Sequence, residues 1–202
     1  MASKVARLSC AFLTLLTLSS ASWADQDHGE YTTIYQSAWR DGVDPRLVIQ
    51  APPDSISAVA MPQFGGTVLK ASMLRSDDFS KVANGTSRAE VSFTSVANFG
   101  IGSEYEVRWS TMIPTNYLLD SKQPEIIAQL HQGSNQGSPP FALILAGQQY
   151  QVDVRGGAGA PASSFEFGTP ATDEGKVVTW LLRYRPDDTG ASAVTDFIRT
   201  AC

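Results

Sequence analysis

Apolar and polar residues alternate with a period of two through much of the chain, the spacing of strands that lay one face on a core. Over residues 87–93, Ala89, Val91 and Phe93 fall on one side, with Arg88, Glu90 and Ser92 on the other. Tyr105, Val107, Trp109 and Thr111 alternate in the same way against Glu106, Arg108 and Ser110. In residues 125–132, Ile126, Ala128 and Leu130 are expected to share the core face, while Ile127, Gln129 and His131 share the other. Further strands are predicted over residues 67–73, 141–145, 149–155 and 177–185, with a shorter one at 46–49.

Turn chemistry separates these runs, at Asn84-Gly85, Gly156-Gly157 and Pro186-Asp187-Asp188-Thr189-Gly190. No segment sustains a helical period of apolar residues. Many short, punctuated, half-apolar strands predict an all-β fold, an antiparallel β-sandwich. Residues 25–66, interrupted by Pro45, Pro52, Pro53 and Pro62, read as an irregular N-terminal arm. Residues 156–164 read as a Gly/Ala/Ser/Pro loop. The turn at 186–190 asks for a partner to the strand before it, yet residues 191–202 alternate poorly. The chain is therefore expected to lack its last strand or strands, leaving an exposed edge.

Composition adds the compartment. Lys4 and Arg7 precede an apolar run from Ala11 to Leu18, and Ser22-Trp23-Ala24 offers small residues at the two positions a signal peptidase reads. Residues 1–24 are thus read as a secretory signal, and residues 25–202 as one domain, exported and soluble. The apolar run is too short to span a bilayer. Removing Lys4 and Arg7 takes the 15 basic residues to 13 against 20 acidic, moving the formal charge from -5 to -7. That sign argues against nucleic acid or a membrane surface as partner. Cys10 lies inside the leader, so Cys202 stands alone and no internal disulfide is expected.

Candidate chemistry centres on Gln129 and His131, which project an amide and an imidazole from neighbouring positions of one strand face. With only His28 and His131 in the chain, a multi-histidine zinc site is excluded. G-x-S-x-G, H-E-x-x-H, CxxC and P-loop patterns are all missing. Glu104 and Glu106 share a strand face, as a glycosidase pair would, but the E-x-D-x-x-E pattern is missing too.

Arg88-Ala89-Glu90-Val91, then residues 105–114 (YEVRWSTMIP), then Gln129-Leu130-His131 in that order resemble the secreted jelly-roll, concanavalin-like polysaccharide lyases. The likeness is to the family that includes heparin lyase I and glucuronan lyase, and to alginate lyases with RxE(L/V) and Q(I/V)H strands. It covers residues 68–190. It implies β-elimination on an anionic polysaccharide, whether glucuronan, alginate or heparin-like, with His131, Gln129 and Arg88 as catalytic residues. Glu90, Arg155 and Gln132 follow as substrate contacts. It also implies a catalytic Tyr in a C-terminal strand, and no Tyr follows Gly190 here.

The residues suit these roles. Abstracting the proton beside a uronate carboxylate builds charge on a group already negative, which preorganised donors must stabilise. Gln129 offers an amide and Arg88 a planar fork for a carboxylate. An imidazole, ordinarily titrating at about 6.5, is suited to act as base. Arg155, Lys176, Arg183 and Arg185 offer a basic lining, or equally a solvated strand surface. Tyr150 and Tyr184 read as core. No cofactor is called for, a structural calcium stays open, and a monomer is expected. The competing reading is a non-catalytic carbohydrate-binding sandwich, or a truncated lyase without turnover.

Overall fold

The computed structural model describes residues 5–11, 31–133, 138–157 and 159–201. Among these, the chain forms strands β1 (Val5–Ala11), β2 (Val48–Gln50), β3 (Ile56–Met61), β4 (Gly66–Leu74), β5 (Glu90–Ser92), β6 (Tyr105–Met112), β7 (Glu125–Leu130), β8 (Phe141–Ala146), β9 (Gln149–Val154), β10 (Ser163–Phe167), β11 (Val178–Arg185) and β12 (Val194–Ala201). Only short 3-10 turns interrupt them. A six-stranded sheet runs β12-β11-β6-β1-β4-β3, a four-stranded sheet β10-β9-β8-β7, and β2 pairs with β5. The pairings are antiparallel.

The two larger sheets face each other across a common core. Trp109, Trp180 and Leu182 from β6 and β11 meet Phe141, Leu143, Leu145, Tyr150 and Val152 from β8 and β9. Trp180 is fully buried, stacks on Phe197 at 5.5 Å, and donates its indole N–H to Thr111 Oγ1 at 2.8 Å. Its polar atom is therefore not left unpaired on burial. Truncating such a side chain costs about 3–5 kcal/mol. A second cluster gathers Trp39, Leu47 and Leu69, with Val91 of β5 against it. That packing is what holds β5 in place.

Most predicted strands form close to their expected bounds; the departures have identifiable causes. β3 falls within the expected irregular arm, but the arm's prolines sit outside it: Pro52 and Pro53 precede it, and Pro62 opens a 3-10 turn after it. That turn closes at Gly65, whose φ of 67° and N–H bond to Pro62 O (2.8 Å) make the hairpin into β4. β10 begins inside the segment read as a loop, because only its second half alternates.

β12 is the larger correction. It pairs with β11 along its whole length, from Arg185↔Val194 to Val178↔Ala201, so the edge read as open is occupied. The pattern was poor because Arg199 takes a core-facing position two residues from Phe197. Its Nη2 donates to Asp173 Oδ1 and Oδ2 at 2.6 and 2.5 Å, and Asp173 is only 3% exposed. An ion pair thus stands where the alternation asks for an apolar residue.

β1 comes from within the expected leader. It lies between β4 and β6, antiparallel to both, with Val5↔Leu74 through Cys10↔Leu69 on one side and Ser9↔Met112 through Ala11↔Ser110 on the other. The expected cleavage site at Ser22-Trp23-Ala24, and His28, lie outside the described residues.

Candidate active site

Strand β7 carries Gln129 and delivers His131 just past its end. Its start is anchored by Tyr117, a core residue whose hydroxyl donates to Glu125 Oε2. Burial, ahead of that hydrogen bond, pushes the Tyr117 hydroxyl up from its ordinary range. Burial likewise raises Glu125 above its ordinary value of 4.5.

A bulge then interrupts the register with β8, between Ile126↔Ile144 and Ala128↔Leu143. The extra residue is Ile127, which turns into the core, while Ile126 is 49% exposed. The expected face assignment therefore fails before the bulge: Ile126 points outward and Ile127 inward. Beyond it the expectation is met. Ala128 and Leu130 pack against the core, which turns Gln129 to the outer face, toward Glu90. A bulge that re-aims a side chain in this way is a common device beside functional sites.

Glu90, on β5, brings the polar groups together. Its Oε2 accepts from Gln129 Nε2 at 3.3 Å and lies 3.6 Å from Arg88 Nη1, while its Oε1 is 3.9 Å from His131 Nε2. Three potential carboxylate partners from two strands thus converge on one carboxylate. The contacts are loose, and the side chains of Arg88, Glu90 and His131 are 30, 26 and 50% exposed. Arg88 is also held by Gln50 Oε1 at 2.9 Å and Thr86 Oγ1 at 3.0 Å. These two supports escaped the sequence reading. Gln50 pairs directly with Glu90 across β2 and β5, a register that no single-strand pattern carries.

Arg88, Glu90, Gln129, His131, Gln132 and Arg155 all line one cleft of about 2450 Å³. Arg155 reaches it from β9; its N–H bonds Pro140 O at 2.9 Å and its guanidinium donates to Ala160 O at 3.2 Å. The other candidate cations are placed elsewhere. Arg183 donates to Glu106 at 3.4 Å, Arg185 bonds Ser192 O, and Lys176 is exposed. Glu106 also accepts from Arg108 at 2.5 Å, so this half of the glycosidase-like pair is gripped by two guanidiniums. Tyr150 is buried in the core and Tyr184 packs against it. Among the described residues, no three His, Cys, Asp or Glu side chains group closely enough to hold a metal ion. No helix there is long and apolar enough to cross a membrane.

A search of curated proteins found no significant match, and neither did a search of solved structures. A family model described as polysaccharide lyase matches residues 20–190, which span β2 to β11 and contain Arg88, Glu90, Gln129, His131, Gln132 and Arg155. By that match, over most of its length, the chain belongs to the polysaccharide lyase family.

Proposed function

We propose that this chain is a secreted jelly-roll lyase that cuts a uronate-containing polysaccharide by β-elimination, with glucuronan, alginate and heparin-like polymers as the substrate class. The observation that carries this reading is the convergence of Arg88, Gln129 and His131 on the carboxylate of Glu90. Groups that gather around one carboxylate at loose distances are suited to receive another.

In this reading the substrate carboxylate enters beside Glu90 and takes hydrogen bonds from the Arg88 guanidinium and the Gln129 amide. Both donors are in place before charge develops, so stabilising the enolate-like state requires little reorganisation. His131 Nε2 removes the proton on C5, the electron pair forms the C4–C5 double bond, and the 4-linked oxygen leaves. That oxygen takes its proton from water in the cleft. Glu90 keeps Arg88 and His131 oriented between turnovers. Side chains supply the charge neutralisation, so no cofactor enters, and the protein acts as a monomer.

The test is to incubate the protein with glucuronan, alginate and heparin and follow the ultraviolet absorbance of an unsaturated uronate. The expected result is absorbance with at least one polymer, and a fall of about 10²–10⁴-fold in His131→Ala, the range for losing a general base. Full activity in His131→Ala would show the base to be misassigned. Binding without absorbance would favour a non-catalytic carbohydrate-binding sandwich, and cleavage without an unsaturated end a glycosidase.

A further inference from the structure

Beyond β7 the outer face of the four-stranded sheet carries further polar groups, of which Arg155 lines the cleft and Asp153 a smaller recess. Cross-strand partners in an antiparallel sheet share a face. Gln129 pairs with Ala142, Ala142 with Asp153, and Asp153 with Ser164, so these four form one row across β7, β8, β9 and β10. Two positions further along, just past the last paired residues Leu130↔Phe141 and Phe141↔Val154, His131, Pro140 and Arg155 continue the same face, with Arg155 N–H bonded to Pro140 O. β9 therefore repeats at two strand spacings what β7 presents: a basic side chain at the rim, Arg155 or His131, with a polar one below it, Asp153 or Gln129. Between them β8 contributes only the short side chains of Pro140 and Ala142.

Asp153 is held in one orientation. Gln151 Nε2 and Ser164 Oγ both donate to its Oδ1, at 2.6 and 2.7 Å. Both donors hold the same oxygen, so Oδ2 is not the one they occupy. A carboxylate fixed in this way accepts strongly from hydroxyl groups and repels another carboxylate. Arg155, two residues on and on the same face, does the reverse.

We propose that Asp153 and Arg155 form a second sugar subsite, which takes the pyranose two residues along the polymer from the one being cleaved. This proposal rests on the lyase reading for the identity of the ligand, a uronate-containing oligosaccharide. Strands are spaced by about 4.8 Å, close to the rise of one 1,4-linked pyranose, so a polymer lying across the strands sets one sugar over each. The sugar over β9 has its hydroxyls against Asp153 Oδ2 and its carboxylate against Arg155. Reversing the chain would put carboxylate against carboxylate, so Asp153 also selects the direction in which the polymer lies.

Calorimetric binding of glucuronan disaccharide and hexasaccharide to the full chain tests this without depending on turnover. Asp153→Asn should weaken the hexasaccharide about tenfold, the low end for a hydrogen bond to a charged group, and leave the disaccharide, which reaches from β7 to β8, unchanged. Ser164→Ala, on the exposed edge strand, removes one of the two orienting donors and should weaken the hexasaccharide two- to threefold. The subsite is refuted if both variants bind the hexasaccharide as the unaltered protein does, if Asp153→Asn weakens both ligands equally, or if the unaltered protein binds neither. Tight hexasaccharide binding with no unsaturated product would sink the eliminase reading and leave the subsite standing.

Discussion

Replacing Gln129 by Leu separates a catalytic donor from a structural strut. In the resting structure the amide gives Glu90 a single hydrogen bond of 3.3 Å, to a carboxylate that is 26% exposed. Water can take its place, so the loss in stability should stay below about 1 kcal/mol. For a chain of this length that is a fall in Tm of less than about 4 °C. During elimination the same amide faces charge building on the substrate carboxylate. Removing one preorganised donor of that kind costs about 10²–10³ in kcat, or about 2.7–4 kcal/mol. Leu nearly preserves the shape, and Ala142 opposite leaves room for it. The assay is the initial rate of ultraviolet absorbance on the best of the three polymers, alongside a thermal melt. A kcat within about threefold of the unaltered protein, well short of the donor's expected effect, would remove Gln129 from the mechanism. A fall in Tm beyond about 8 °C, some 2 kcal/mol or more, would make it a strut.

Arg199→Met should leave Asp173 charged in the interior and cost about 3 kcal/mol, the low end for a buried pair because Arg199 is itself 26% exposed. The melt should fall by about 6–12 °C and recover in part when Asp173→Asn is added; no recovery would mean that Arg199 acts through packing alone. Glu125 is raised by burial, so the folded protein holds this proton more tightly than the unfolded chain does. Its contribution is complete below the ordinary carboxylate value and declines as pH rises through the raised one. Glu125→Gln keeps an acceptor for Tyr117 and should flatten the fall in Tm above about pH 4.5; an unchanged slope would place that titration elsewhere. Ile127→Ala should destabilise by about 2–5 kcal/mol, whereas Ile126→Ala should cost less than about 0.5 kcal/mol, as read from denaturant melts. Equal effects would contradict the bulge.

Where one face is apolar and the next polar, the chain spoke plainly. Residues 105–112, 141–146 and 178–185 form strands because Trp109, Phe141 and Trp180 recur on the core side. Legibility failed where a local pattern was overridden by a distant partner. Arg199 breaks the alternation of β12, and its compensation, Asp173, lies 26 residues away. Ile127 breaks the alternation of β7 because one residue is inserted into the ladder, and no composition signal marks a bulge. At the site, Arg88, Gln129 and His131 were visible as residue types on strands. What joins them, the central carboxylate of Glu90, became clear only with β5 beside β7. Gln50 and Asp153 take their roles from the strands next to theirs, β5 for Gln50 and β10 for Asp153.

The position of β1 sets two demands on the same seven residues. A chain cut after Ala24 would surrender them, and β4 and β6 would then stand at about twice the usual 4.8 Å strand spacing, with bare peptide groups along both rims of the notch. Such a notch is a socket for any extended polypeptide that enters antiparallel to both sides, the geometry of strand addition. If residues 1–24 are removed on export, as the leader pattern predicts, export and completion of the six-stranded layer compete for one segment, and the exported form would have to close that socket with other backbone or carry it open.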